Sequence, residues 1–170
     1  YQFKASGTDS VVYCRFWFQA TGAFPTNVLN IFQIRSVGSI RITSAGVLRL
    51  FNATTQVGSD SAALSLGVWY QIEIYADTTP SAGSDILEGR LSGSVFATSS
   101  AQSLATFSII DWGINASPGS LVTFYFDDIA INDSTGSSQN SYPGKGEIIH
   151  LKPNGNGDNS GWLGLKRNMM

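Results

Sequence analysis

Residues 11–19, VVYCRFWFQ, and residues 69–77, WYQIEIYAD, alternate one apolar residue with one ring-bearing or charged residue. A period of two belongs to a β-strand, whose successive side chains point to opposite faces of a sheet. Val12, Cys14, Phe16 and Phe18 therefore share one face, and Tyr13, Arg15, Trp17 and Gln19 share the other. In the second stretch Tyr70, Ile72 and Ile74 alternate with Trp69, Gln71, Glu73 and Tyr75. Each strand has an apolar side that another layer must cover and a side that mixes aromatics with charge.

The pattern extends outward from these two strands. In residues 39–43 and 47–51, Ile40, Ile42, Leu48 and Leu50 alternate with Arg41 and Arg49. The link Ser44-Ala45-Gly46 between them reads as a tight hairpin in which Gly46 supplies a positive φ. Strands are expected at 11–20, 28–37, 39–43, 47–52, 69–76, 86–91, 94–98, 107–114, 121–131 and 147–151, separated by clusters of Gly, Pro, Asn, Ser and Asp. Residues 78–85 read as a surface hairpin tip. Eighteen glycines and no window with apolar residues at i, i+3, i+4 and i+7 leave no expected helix. Ten short strands without helices make an all-β sandwich, and 170 residues suffice for one substantial core. The expected organisation is one domain over 1–153 and an extension over 154–170.

Composition narrows the function. A net charge of −2 with no basic run argues against binding nucleic acid through its phosphates. Apolar stretches are broken too often for a transmembrane helix, and the N-terminus lacks the pattern of a secretory signal. The chain begins with Tyr1, which reads as a processed product or a piece of a longer protein. Cys14 is alone and reads as a small buried apolar residue. His150, the one histidine, lies between Ile149 and Leu151 and reads as structural.

The mixed faces carry the candidate ligand site. A sugar's C–H face stacks on an aromatic ring while charged and amide groups bond its hydroxyls, so Tyr13, Arg15, Trp17, Trp69 and Tyr75 form a candidate glycan face if their strands are neighbours. The same rings would equally suit an interface with another chain. For glycosidase chemistry two carboxylates on alternate residues are wanted, but Glu73 is followed two residues on by Tyr75, and Asp77 lies near the strand end. No motif of a nucleophile elbow, phosphate loop or paired CxxC occurs.

A second stretch, FYFDDIAINDSTGSSQNSYPGKGEIIHLKPNGNG at 124–157, joins a strand, a long polar loop and a short strand. Asp127 and Asp128 sit side by side in it. Strict alternation would turn one of them inward, where a carboxylate needs a cation, an arginine or several N–H donors. The Asn154-Gly-Asn-Gly-Asp158 string spaces oxygens as a calcium loop does but lacks the glycine and closing glutamate of one, and reads as linker.

This stretch resembles the end of concanavalin A-like, LamG-type jelly-roll domains of phage and prophage structural proteins, and residues 38–51 and 67–77 follow in the matching order. The resemblance implies an antiparallel two-sheet jelly-roll sandwich over most of residues 10–157. It also implies a structural Ca²⁺ at Asp127 and Asp128, as in carbohydrate-binding modules of this shape. Its functional implication is a non-catalytic virion structural or decoration module, in a virion or extracellular, that self-associates or meets other assembly subunits and also contacts surface polysaccharide. Trp162 and Leu163 in the tail would anchor such an assembly. The alternatives are a carbohydrate-binding module of a secreted protein and, behind it, a glycoside hydrolase or lyase.

Overall fold

The computed structural model describes residues 2–114, 116–135 and 140–144, with backbone alone for residues 2–9. Eleven strands and no helix make up these residues: β1 (Gln2–Asp9), β2 (Val11–Thr21), β3 (Leu29–Ile34), β4 (Gly38–Ile42), β5 (Leu48–Asn52), β6 (Thr55–Val57), β7 (Trp69–Asp77), β8 (Asp85–Leu91), β9 (Ser94–Gln102), β10 (Phe107–Trp112) and β11 (Thr123–Asn132). One sheet has the order β1-β10-β3-β4-β5-β6 and the other β11-β2-β7-β8-β9, and every pairing is antiparallel. This is the expected two-sheet sandwich. Strands β1 and β6 were not foreseen: β1 carries Ser6-Gly7 within a largely polar run, and β6 is three residues long. The expected strand at 147–151, His150, the 154–158 string and the 154–170 extension with Trp162 and Leu163 lie outside the described residues.

The two layers meet through their alternating apolar faces. Val12, Cys14, Phe16 and Phe18 of β2, Ile72 and Ile74 of β7, Ile40 and Ile42 of β4 and Leu48 and Leu50 of β5 are all at most 3% exposed. Phe16 stacks on Phe32 of the opposite sheet with ring centroids 5.3 Å apart, and Phe32 in turn meets Trp112 edge-on at 5.3 Å. A register shift in β3 between Asn30 and Phe32 turns Ile31 and Phe32 both inward, so consecutive residues fill the core there. Cys14 is fully buried, and that burial pushes its thiol far above the ordinary range, leaving an inert apolar side chain.

The β4–β5 hairpin closes as expected. Gly46 adopts φ +71°, its N–H bonds to the Thr43 carbonyl, and Thr43 N–H bonds to the Val47 carbonyl. A Cβ at Gly46 would lie 2.6 Å from the Phe24 ring. Gly46→Ala should therefore lower the unfolding free energy read from urea titration by more than the roughly 1–2 kcal/mol of a left-handed alanine alone. Phe16→Ala, which removes the ring between the layers, should cost about 3–5 kcal/mol in the same measurement.

Candidate functional site

The outer face of the five-stranded sheet collects the mixed side chains. Nine consecutive residue pairs join β2 to β7, from Val11 opposite Asp77 to Gln19 opposite Trp69. Paired residues share a face, so Tyr13 lies opposite Tyr75, Arg15 opposite Glu73, Trp17 opposite Gln71 and Gln19 opposite Trp69. Strand β8 adds Glu88 beside Tyr75 and Arg90 beside Glu73, and β11 adds Tyr125 beside Gln19 and Asp127 beside Trp17. The adjacency that a glycan face requires is thus present for all five candidates, Tyr13, Arg15, Trp17, Trp69 and Tyr75.

Asp127 and Asp128 depart from the expected geometry. Between Asp127 and Ala130, β11 advances three residues while β2 advances two, from Trp17 to Arg15. That extra residue is a β-bulge, and Asp128 takes φ +47° within it, a conformation that Asp tolerates better than most side chains. Neither carboxylate turns inward. The two side chains, expected on opposite faces, line one outward recess of about 350 Å³ together with Trp17 and Trp69.

The bulge settles how Arg15 is buried. Arg15 is 4% exposed, and its guanidinium donates from Nη2 to Asp128 Oδ1 at 2.8 Å and from Nη1 to the Gly144 carbonyl at 2.8 Å. Asp128 N–H donates to Asp127 Oδ1 at 2.7 Å, which fixes the first carboxylate beside the second. Among the described residues no third carboxylate, histidine or thiol joins them in a group suited to a metal. Calcium takes six to eight oxygens, and here a guanidinium already holds one of the four carboxylate oxygens.

The face divides into an open and a covered half. At the open end Trp69 is 40% and Tyr125 48% exposed, their ring centroids 6.5 Å apart, and Gln19 Nε2 donates to the Gly67 carbonyl at 2.7 Å. At the other end Tyr13 and Tyr75 stack at 4.6 Å, and residues 140–144 lie over them. Tyr142 meets Tyr13 edge-on at 5.2 Å, donates its hydroxyl to Glu88 Oε1 at 2.7 Å, and carries the Arg90 guanidinium 3.8 Å above its ring. Burial, reinforced by Glu88, pushes the Tyr142 phenol far up, so it stays protonated and remains a donor. Between the halves Gln71 and Glu73, expected to face out, are 2% and 3% exposed. Gln71 Oε1, Glu73 Oε1 and Arg15 Nε have no hydrogen-bond partner among the described residues.

Sequence reading missed Glu88, Arg90, Tyr125 and Tyr142. The first two were legible in DILEGRL, where Ile86, Glu88 and Arg90 alternate with Leu87 and Gly89. Tyr125 precedes the bulge with ordinary alternation. Tyr142 stands in a loop and carries no periodic signal.

Two outcomes follow. Asp128→Asn keeps a residue that tolerates the left-handed backbone but removes the countercharge of Arg15, and should lower stability by about 1–2 kcal/mol, read from chemical denaturation. Asp77 accepts from Thr79 N–H and Oγ at 2.8 and 2.6 Å and from the Tyr75 hydroxyl at 3.0 Å. Burial raises its pKa, but these bonds outweigh it and hold the carboxyl below its usual value. Its contribution is complete above the unfolded pKa of about 3.9 and is lost as pH falls through the folded one. Asp77→Asn should flatten that part of the acid limb in urea midpoints measured against pH.

No protein-family model matches the sequence, and no curated protein matches it. Among solved structures, the fold is similar to an endo-β-1,4-glucuronan lyase from the fungus Trichoderma reesei, with 11% identity, a TM-score of 0.56, and coverage of 76% of this chain and 71% of that one. The alginate lyase Aly36B is similar at 10% identity and a TM-score of 0.53, over 75% of this chain and 71% of that one. A botulinum neurotoxin type C protein, described as depending on interaction with two ganglioside molecules to enter cells, is similar at 13% identity and a TM-score of 0.51, over 76% of this chain and 38% of that one. At such identities the likeness speaks for the architecture, a concanavalin A-like jelly roll. It also corrects the functional expectation. Among the similar folds are two polysaccharide lyases and a ganglioside-dependent toxin, so the reading as a non-catalytic virion module falls, and the expectation that the chain is no enzyme falls with it.

Proposed function

We propose that this domain is a carbohydrate-active module that binds a polysaccharide chain across the outer face of its five-stranded sheet. The observation that carries the reading is the open recess, where Trp17 and Trp69 flank Asp127 and Asp128, with Tyr125 alongside. Rings exposed side by side next to fixed carboxylates suit a pyranose, whose C–H face stacks while its hydroxyls donate to the oxygens. The fold's likeness to glucuronan and alginate lyases and to a ganglioside-dependent toxin supports a glycan as the ligand class.

A second reading, chemistry on the bound chain, is favoured by one cluster. Glu73 lies buried between Arg15 and Arg90 in the strand register, with Gln71 one step along the same face, and its Oε1 has no partner among the described residues. A carboxylate on the floor of a glycan face is the kind of group that accepts a proton from a bound sugar. Incubation with alginate and glucuronan would show this as ultraviolet absorbance of an unsaturated product or as new reducing ends, lost in Glu73→Gln.

The binding reading is tested by calorimetric titration with alginate, glucuronan and a neutral β-glucan. At least one should bind, and Trp69→Ala should weaken it about tenfold, the worth of one stacked ring. Equal binding by wild type and Trp69→Ala, or no binding to any of the three, would sink the proposal.

A further inference from the structure

We infer that residues 140–144 sit in a second sugar subsite of the same face and are displaced when a long glycan chain binds. The inference rests on the polysaccharide-binding reading and extends its site beyond the open recess.

The outer face of β2 presents Tyr13 and Trp17 four residues apart, about 13 Å along the strand. Each has aromatic company: Tyr75 stacked on Tyr13, and Trp69 beside Trp17 in the recess. The sheet thus carries two aromatic platforms in line, with Arg15, Gln71 and Glu73 on the floor between them. Only the platform at Trp17 and Trp69 is open.

Over the other platform Tyr142 occupies the place of a sugar ring. It packs on Tyr13 and Tyr75 at 5.2 and 6.1 Å, reaches the Glu88 carboxylate with its hydroxyl, and takes Arg90 on its outer side. Gly144 supplies a carbonyl to Arg15. The fit is incomplete. Among the described residues a donor, Arg15 Nε, and two acceptors, Gln71 Oε1 and Glu73 Oε1, stay unmatched on side chains at most 4% exposed. A buried polar atom without a partner costs on the order of 1–3 kcal/mol. A tyrosine ring and one carbonyl offer nothing more to these atoms, whereas sugar hydroxyls both donate and accept and can answer all three. The charges on this floor are mixed, with Arg15 and Arg90 against Glu73 and Glu88, so the subsite calls for a hydroxyl-rich pyranose rather than a strongly charged group. A chain that fills the recess and continues along β2 would exchange an imperfect internal contact for a matched one.

The test compares size-fractionated alginate, glucuronan and cellulose oligomers on wild type and Tyr142→Ala, with Tyr142→Phe as a control that keeps the ring and loses the Glu88 bond. Thermal melts establish that each variant is folded. Long oligomers should bind Tyr142→Ala at least tenfold more tightly than wild type, while disaccharides, which reach the recess alone, bind both equally. In wild type, long oligomers but not disaccharides should raise the hydroxyl-radical oxidation of the Tyr142 ring. Should Tyr142→Ala unfold, this footprinting of wild type decides the matter. Binding that Trp69→Ala weakens but that shows no length dependence on Tyr142 and no change in Tyr142 oxidation would overturn this inference and leave the recess reading standing. Weaker binding of long oligomers to Tyr142→Ala would also overturn it, because Tyr142 would then be a glycan contact. Absence of any binding would overturn both.

Discussion

The structure depends on the pairing of β2 with β7. Nine residues run opposite nine without a bulge, and the period-two patterns of both strands stay in phase from one end to the other. A slip of one residue would carry Phe16, Phe18, Ile72 and Ile74 to the solvent and bring Arg15 and Glu73 into the core. Because that exchange is so costly, the register is fixed by burial, and everything on the outer face inherits its position from it. Tyr13 meets Tyr75, and Arg15 meets Glu73, as a by-product of packing the other side.

The irregular neighbour of this pair gives the face its chemistry. A regular β11 would have sent one of Asp127 and Asp128 toward Phe16 and Phe126, which lie on the core side 5.9 Å apart. The bulge uses one surplus residue to restore the apolar register after Asp128 and leaves both carboxylates outside. In the same step it provides the countercharge that lets Arg15 lie buried. An arginine with 4% exposure is tolerable only with such a partner. Fold and site meet at this point, since loss of the Asp128 charge disturbs a core-adjacent cation and the rim of the recess together.

The concanavalin A-like architecture accommodates catalysts and pure binders alike, so function lies in what the outer face presents. Here an open aromatic recess, a buried polar floor and a tyrosine-capped platform follow one another along two adjacent strands. The non-catalytic particle module expected from the 124–157 stretch was a reading of overall likeness. It failed because likeness of strand order and loop length reports the architecture, which unrelated activities share.

The sequence by itself determined the all-β class, most of the strands, the core residues and the positive φ at Gly46, because hydrophobic alternation and turn chemistry are local and leave a direct trace. It also determined which side chains of β2 and β7 would share a mixed face. Tertiary structure alone decided which strands lie side by side, that Asp127 and Asp128 point the same way, that Gln71 and Glu73 are covered, and that Tyr142 rests on Tyr13 and Tyr75. These depend on one inserted residue in a ladder and on contacts between segments more than fifty residues apart, from Glu88 to Tyr142 and from Arg15 to Asp128. No periodicity within a single strand records such contacts.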